Sequence, residues 1–175
     1  MVLVTMGGTD PQGMTLKAVK ALELLEEEFE AVVVLGAGFQ QKKELHNLLS
    51  ACKHCFDVRE NVENMAELMA QSDLAVASFG VTAYELAAMG VPAIYLCLTE
   101  DHAGSASVFV EAGIALNTGV HLQVSEVTLA NVVKQILKNA LARLKMAESA
   151  RRLAIGRGVS HIARKIEERI EHIYD

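Results

Sequence analysis

The 175-residue chain is 51% hydrophobic and 22% charged, enough apolar material for one sizeable core and too little polarity for intrinsic disorder. Its formal charge of −6, with Lys and Arg scattered among Asp and Glu, offers no basic stripe to nucleic acid or anionic lipid. No apolar run reaches the roughly 18 residues that span a bilayer, and no basic segment with a cleavage site opens the chain, so a cytoplasmic protein without a transmembrane segment is expected.

Apolar runs fall at Val2–Met6, Ala31–Leu35, Phe56–Val58, Leu74–Ala77, Ala93–Cys97 and Ile114–Leu116. Several lack polar alternation, as strands covered on both faces do. Between the first two, Ala18, Leu22, Leu25 and Phe29 recur at helical spacing opposite Glu23, Glu26, Glu27 and Glu28, which predicts an amphipathic crossover helix. Further helices are predicted around Lys42–Ala51, Met65–Gln71, Thr82–Met89, Ser105–Ala112 and Glu126–Leu137, with Gly90 and Gly113 as C-terminal caps. Strand–helix alternation with turn residues at the junctions predicts an α/β domain over 1–175 with a parallel sheet of about six strands. C-terminal helices follow over about 140–174, broken at Gly156 and Gly158 and restarted with Ser160 as N-cap. There Ile162, Ile166, Ile170 and Ile173 form a stripe that either covers the domain's own sheet or docks on something outside the chain.

The three cysteines make no even disulfide framework. Cys52 and Cys55 form a CxxC, but zinc wants four ligands and only His46 and His54 lie near in sequence, so reduced cysteines and no metal are expected.

Ligands of open α/β sheets bind beyond the carboxyl ends of the strands, where this chain carries three glycine-rich loops. They are Gly7-Gly8-Thr9-Asp10-Pro11, Gly36-Ala37-Gly38 and Ser78-Phe79-Gly80-Val81-Thr82. Glycine lets backbone approach a phosphate, and a following helix directs free N–H groups at it, although tight turns alone also explain such glycines. No GxGxxG follows the first strand, which argues against a dinucleotide fingerprint. Gly8, Gly13 and Thr15 sit as in a P-loop, but Met14 stands where its lysine belongs and Pro11 removes a donor. In Gly80-Val81-Thr82-Ala83-Tyr84-Glu85, Thr82 and Glu85 share a face of the first helical turn. Either Glu85 accepts two hydrogen bonds from a ribose diol, or Thr82 and Glu85 form a capping box.

The order of Val4 to Pro11, Asn61-Val62-Glu63-Asn64-Met65 with Leu68-Met69, Ser72 to Ala75, and Gly80 to Pro92 resembles the C-terminal half of a GT-B group of nucleotide-sugar enzymes. The nearer likeness is to spore-coat polysaccharide biosynthesis proteins and the UDP-sugar hydrolase of pseudaminic acid synthesis. A more distant one is to the N-acetylglucosaminyltransferase that makes lipid II. The resemblance implies a Rossmann-like three-layer α/β/α sandwich, one half of a GT-B fold, binding UDP or a UDP-sugar without a further cofactor. It places Gly7, Gly8, Thr9, Gly80, Val81 and Thr82 around the diphosphate, Glu85 on the ribose, and Asn61, Val62 and Met65 in the loop beside the base.

Where relatives carry Asn-Gln or glutamines after the fifth strand, this chain has Thr99-Glu100-Asp101-His102, so Asp101 and His102 become the candidate sugar contacts, with an exposed loop histidine as the plain alternative for His102. The resemblance also implies an N-terminal GT-B domain that supplies the acceptor pocket and the catalytic histidine. This chain starts at the C-terminal half, so either a shortened protein or a natural half-enzyme working with a partner subunit is expected, the isolated chain being inactive as a hydrolase or glycosyltransferase.

Overall fold

A computed structural model describes residues 1–153, 156 and 158–174. In chain order the elements are β1 (Val2–Thr5), α1 (Met14–Glu23), β2 (Ala31–Leu35), α2 (Lys42–Leu49), β3 (Phe56–Glu60), α3 (Met65–Ala70) and β4 (Leu74–Ala77). Then come α4 (Val81–Met89), β5 (Ala93–Cys97), α5 (Glu100–Glu111), β6 (Ala115–Val120), α6 (Glu126–Leu137), α7 (Ala140–Arg152) and α8 (Gly158–Tyr174).

The six strands are all parallel, in the order β3-β2-β1-β4-β5-β6. Val4 lies between Val33 of β2 and Val76 of β4, so β1 is central and the winding direction reverses there. Successive side chains of a strand point to opposite faces. Val2 and Val4 accordingly pack with Ala18, Leu22, Leu129 and Val133 under α1 and α6, while Leu3 packs in the opposite layer with Leu68, Leu86 and Phe109 under α3, α4 and α5. The three-layer Rossmann-like sandwich is as expected.

Local departures from the sequence reading have physical causes. The first helix stops at Glu23, leaving Leu25 and Phe29 beyond it, because Glu26, Glu27 and Glu28 would crowd the negative end of a longer helix. Leu25 is buried all the same. At the sheet edge, β3 runs on to Glu60 and exposes Asp57, Arg59 and Glu60. Gly90 caps α4 in the left-handed region (φ 71°), as predicted. Ser160 falls inside the first turn of α8 rather than at its N-cap. Ile162, Ile166 and Ile170 are 60%, 54% and 49% exposed, so they do not cover the sheet; the side chain of Ile173 lies outside the described residues. No described helix is long and apolar enough to cross a membrane. Among the described residues no three His, Cys, Asp or Glu side chains converge as a metal site would need. The Cys52 thiol donates to the Leu48 carbonyl (3.3 Å), and Cys55 is exposed.

One side chain ties the helix after the central strand to the last strand of the sheet. Lys17 of α1 donates from Nζ to the carbonyls of His121 (2.5 Å) and Val124 (2.8 Å), fixing the connection between β6 and α6. His121 is itself buried, and its N–H donates to the Cys97 carbonyl (2.8 Å). Burial, helped by the Lys17 charge and opposed by Asp10, lowers the His121 pKa below the ordinary 6.5. Below that pH the unfolded chain takes up a proton that the folded one resists, so stability declines as pH falls from about 6.5 toward the folded-state value. Chemical denaturation across this range should show a slope from this group of at most about 1.4 kcal/mol per pH unit. His121→Gln should flatten the slope, and an unchanged profile would contradict the assignment.

Candidate functional site

The reversal at β1 opens a crevice between the loops after β1 and β4, the place where sheets of this order hold ligands. The Ser78 N–H donates to the Thr5 carbonyl (3.2 Å), which seats the two loops side by side. Gly7 turns the chain in the left-handed region (φ 80°), and a Cβ there would lie 3.7 Å from Ser78 Oγ. Gly8 and Thr9 are exposed beyond it.

The second glycine loop packs directly on the first. A Cβ on Gly36 would lie 2.4 Å from both Cα and O of Gly8, and one on Gly38 would lie 2.7 Å from Thr9 Cγ2. The Gly38 N–H also donates to the Gly8 carbonyl (2.9 Å). These glycines let one loop lie directly on the other, so Gly36 and Gly38 buttress Gly8 and Thr9.

Two helices begin beside this crevice, and their ends differ. At α1 the buried Asp10 carboxylate accepts from the N–H groups of Met14 (2.8 Å) and Thr15 (2.7 Å). At α4 the N-cap is Gly80 and no side chain bonds to the end. The Thr82–Glu85 capping box does not form. The cap falls two residues earlier than Thr82, leaving Thr82 half-buried within the first turn and Glu85 exposed, with no hydrogen bond or ion pair among the described residues. Space is open at Gly80, where a Cβ would meet nothing within 4 Å, and Val81 is 77% exposed. The free N–H groups at such an end carry about half a positive charge. α2 also lacks a side-chain cap, but it follows β2, away from the reversal.

At the end of β3, Asn61 adopts φ 51° and its N–H donates to the Leu35 carbonyl (3.3 Å). Val62 and Met65 pack against the layer of Leu68 and Met69, and Asn64 caps α3 by accepting from the Glu67 N–H (3.2 Å). This segment is therefore a fixed turn at the same sheet edge as the glycine loops.

After β5 the sequence reading placed a loop up to Ser105, but α5 begins at Glu100. Thr99 Oγ1 accepts from the His102 N–H (3.2 Å), and Glu100 and Asp101 sit favourably at the positive end. Asp101 and His102 are thus in a helical first turn. Asp101 is exposed, whereas His102 is half-buried with its Nδ1 shielded and unpartnered, its ring 6.5 Å from that of Phe79. It is not an exposed loop histidine. Asn117 holds this turn: its Nδ2 donates to the Ala103 carbonyl (3.0 Å) while its Oδ1 accepts from the N–H of Gly119 (2.9 Å) and the Cys97 thiol (3.4 Å). Burial pushes the Cys97 thiol up to about 11, so it stays protonated as that donor.

Asp10 and Asn117 had not been given roles from sequence; only the run Thr99-Glu100-Asp101, an N-terminal helix signature, pointed to the turn that Asn117 fixes. A separate apolar cleft of about 480 Å³, lined by Tyr84, Val108, Phe109 and Ile114 among others, contains none of the expected site residues.

Comparison with known proteins agrees with this fold. The model of the glycosyltransferase family 28 C-terminal domain matches residues 1–169. The spore coat polysaccharide biosynthesis protein SpsG of Bacillus subtilis is 26% identical over 172 residues, covering 97% of this chain and 50% of SpsG. The UDP-N-acetylglucosamine–N-acetylmuramyl-(pentapeptide) pyrophosphoryl-undecaprenol N-acetylglucosamine transferase of Bordetella pertussis is 29% identical over 171 residues, covering 95% and 47%. Among solved structures, Acinetobacter baumannii MurG superposes with a TM-score of 0.79 at 21% identity, covering 95% of this chain and 49% of that one. Anabaena Alr3699/HepE in complex with UDP-glucose superposes with a TM-score of 0.77 at 22% identity, covering 98% and 48%. The chain spans about half the length of each of these proteins.

Two glycine substitutions separate scaffold from crevice. Gly36→Ala should cost about 1–3 kcal/mol in urea unfolding, because the new methyl meets backbone that cannot yield. Gly80→Ala, in extended backbone with open space around it, should stay within about 0.5 kcal/mol of the parent. Equal losses at both positions would contradict the division of labour.

Proposed function

Because the chain belongs to the glycosyltransferase family 28 C-terminal domain family, we propose that it is the donor-binding half of a sugar-transferring enzyme, holding UDP or a UDP-sugar in the crevice between β1 and β4. The observation that carries this reading is the uncapped N-terminus of α4 opposite the Gly7-Gly8-Thr9 loop. A diphosphate fits there between backbone of Gly7, Gly8 and Thr9 and the N–H groups at Gly80, Val81 and Thr82. Glu85, one turn further and without a partner among the described residues, takes the ribose hydroxyls as a two-oxygen acceptor. The turn at Asn61, Val62 and Met65 faces the base, and Asp101 and His102 at the start of α5 face the sugar. The UDP-glucose complex of the Anabaena neighbour supports the choice of ligand.

In transfer, the bond between the anomeric carbon and the diphosphate breaks and negative charge grows on the departing UDP. The fixed N–H groups and dipole of α4 stabilise that charge without reorganising, the electrostatic share of catalysis. Activation of the acceptor falls to a second unit, an N-terminal GT-B domain or a partner chain, since no nucleophile and base pair up at the crevice among the described residues. The exposed apolar side chains of Val81 and Tyr84 beside the crevice favour such a companion.

Calorimetric titration with UDP, against ADP and NAD as controls, tests the reading. UDP alone should bind. Glu85→Ala should weaken it by about tenfold or more, the loss of charge-assisted hydrogen bonds worth about 1.5–3 kcal/mol. Equal affinity for ADP and UDP, or no effect of the substitution, would refute the assigned uridine site or the ribose role respectively.

A further inference from the structure

In sheets with the order found here, dinucleotides place their pyrophosphate at the N-terminus of the helix after the first strand. This protein fills that seat with its own side chain. Asp10 is only 4% exposed, and its two carboxylate oxygens accept separately from the Met14 and Thr15 N–H groups (2.8 and 2.7 Å). Its carbonyl accepts from the Gly13 N–H (3.2 Å), closing a turn in which Asp10 itself adopts φ 40°. From the other side Gln41 closes in, its Oε1 2.5 Å from where a Cβ of Gly13 would stand.

The choice of residue matters. Helices α3, α5, α6 and α7 are capped by the neutral side chains of Asn64, Thr99, Ser125 and Asn139, each accepting from one N–H. A full negative charge shared between two N–H groups occurs, among the described helices, at α1, one of the two that start at the crevice. A neutral cap satisfies donors but leaves the dipole to attract an anion, whereas a carboxylate satisfies donors and cancels the attraction.

We propose that Asp10 is a specificity-determining residue, a built-in anion that occupies the pyrophosphate seat of α1 and confines an incoming diphosphate to α4. The α4 half of this statement rests on the donor-site reading above; the occlusion of α1 does not. A sheet wound for dinucleotides is thereby turned into one with a single diphosphate position, and the bound phosphates are held on the β4 side of the crevice, towards β5 and α5.

The test is titration with inorganic pyrophosphate, in the absence and presence of saturating UDP, of the parent chain, Asp10→Gly and Asp10→Ser. Glycine tolerates the positive φ, and serine keeps one capping hydrogen bond while removing the charge. With UDP bound, the parent should take up no pyrophosphate. Each variant that retains the parent's far-ultraviolet circular dichroism should take up one equivalent, at an affinity at least tenfold above any seen for the parent. A folded variant that gains none, or failure of both variants to fold, would show that Asp10 is a structural cap and overturn the proposal. Variants that gain the equivalent when the parent binds no UDP would uphold the role of Asp10 and sink the donor-site reading instead.

Discussion

Gly36 rests on Gly8 with no room for a methyl group between them, and the crevice depends on that contact. The loop after β1 is a short glycine-rich turn with little side-chain mass of its own, and such a turn would ordinarily sample many conformations. Contact with the loop after β2, and the hydrogen bond from Gly38 to the Gly8 carbonyl, remove that freedom without adding bulk. The outcome is backbone that is both rigid and bare, which close approach to a phosphate requires. Side chains would give rigidity only by filling the space that a phosphate would occupy.

The second ingredient is the unequal treatment of two neighbouring helix ends. An end that is free attracts anions, and one bonded to a carboxylate does not. Because β1 lies between β2 and β4, the helices after β1 and β4 both start at the reversal, and the chain distinguishes them by one residue, Asp10. Lys17 and His121 extend the same local order to the far side of the sheet, while Asn117 does so for α5. Asp10, Lys17 and Asn117 thus bond to backbone and position loops, while Glu85 has no partner among the described residues.

Much of this was legible in the sequence because it is local. Uninterrupted apolar runs specify buried parallel strands, and Gly90 announces the end of α4 through a conformation that few other residues accept. The candidate diphosphate residues also lie where strand-end logic puts them. What escaped was either non-local or ambiguous. The Gly36–Gly8 contact joins two loops whose approach no pattern encodes, so Gly36 and Gly38 stayed open between a phosphate loop and a tight turn. Thr82 and Glu85 satisfy the spacing of a capping box, but spacing does not reveal that the helix has already begun at Val81. Conversely, Thr99-Glu100-Asp101 spelled out a helix start five residues ahead of Ser105, where the helix was expected.

At the other end of the sheet, β3 displays Asp57, Arg59 and Glu60 to solvent, with Arg59 paired to Asp57 and Lys42 to Glu60. An open strand edge is a template onto which another strand can be added, and charges along it make that addition expensive. Growth by sheet extension into ribbons or fibrils is therefore disfavoured on this side. The exposed apolar groups of Ile162, Ile166 and Ile170 lie instead on a helix, α8, whose backbone groups are already paired within the helix, so a contact made there adds no strand to the sheet.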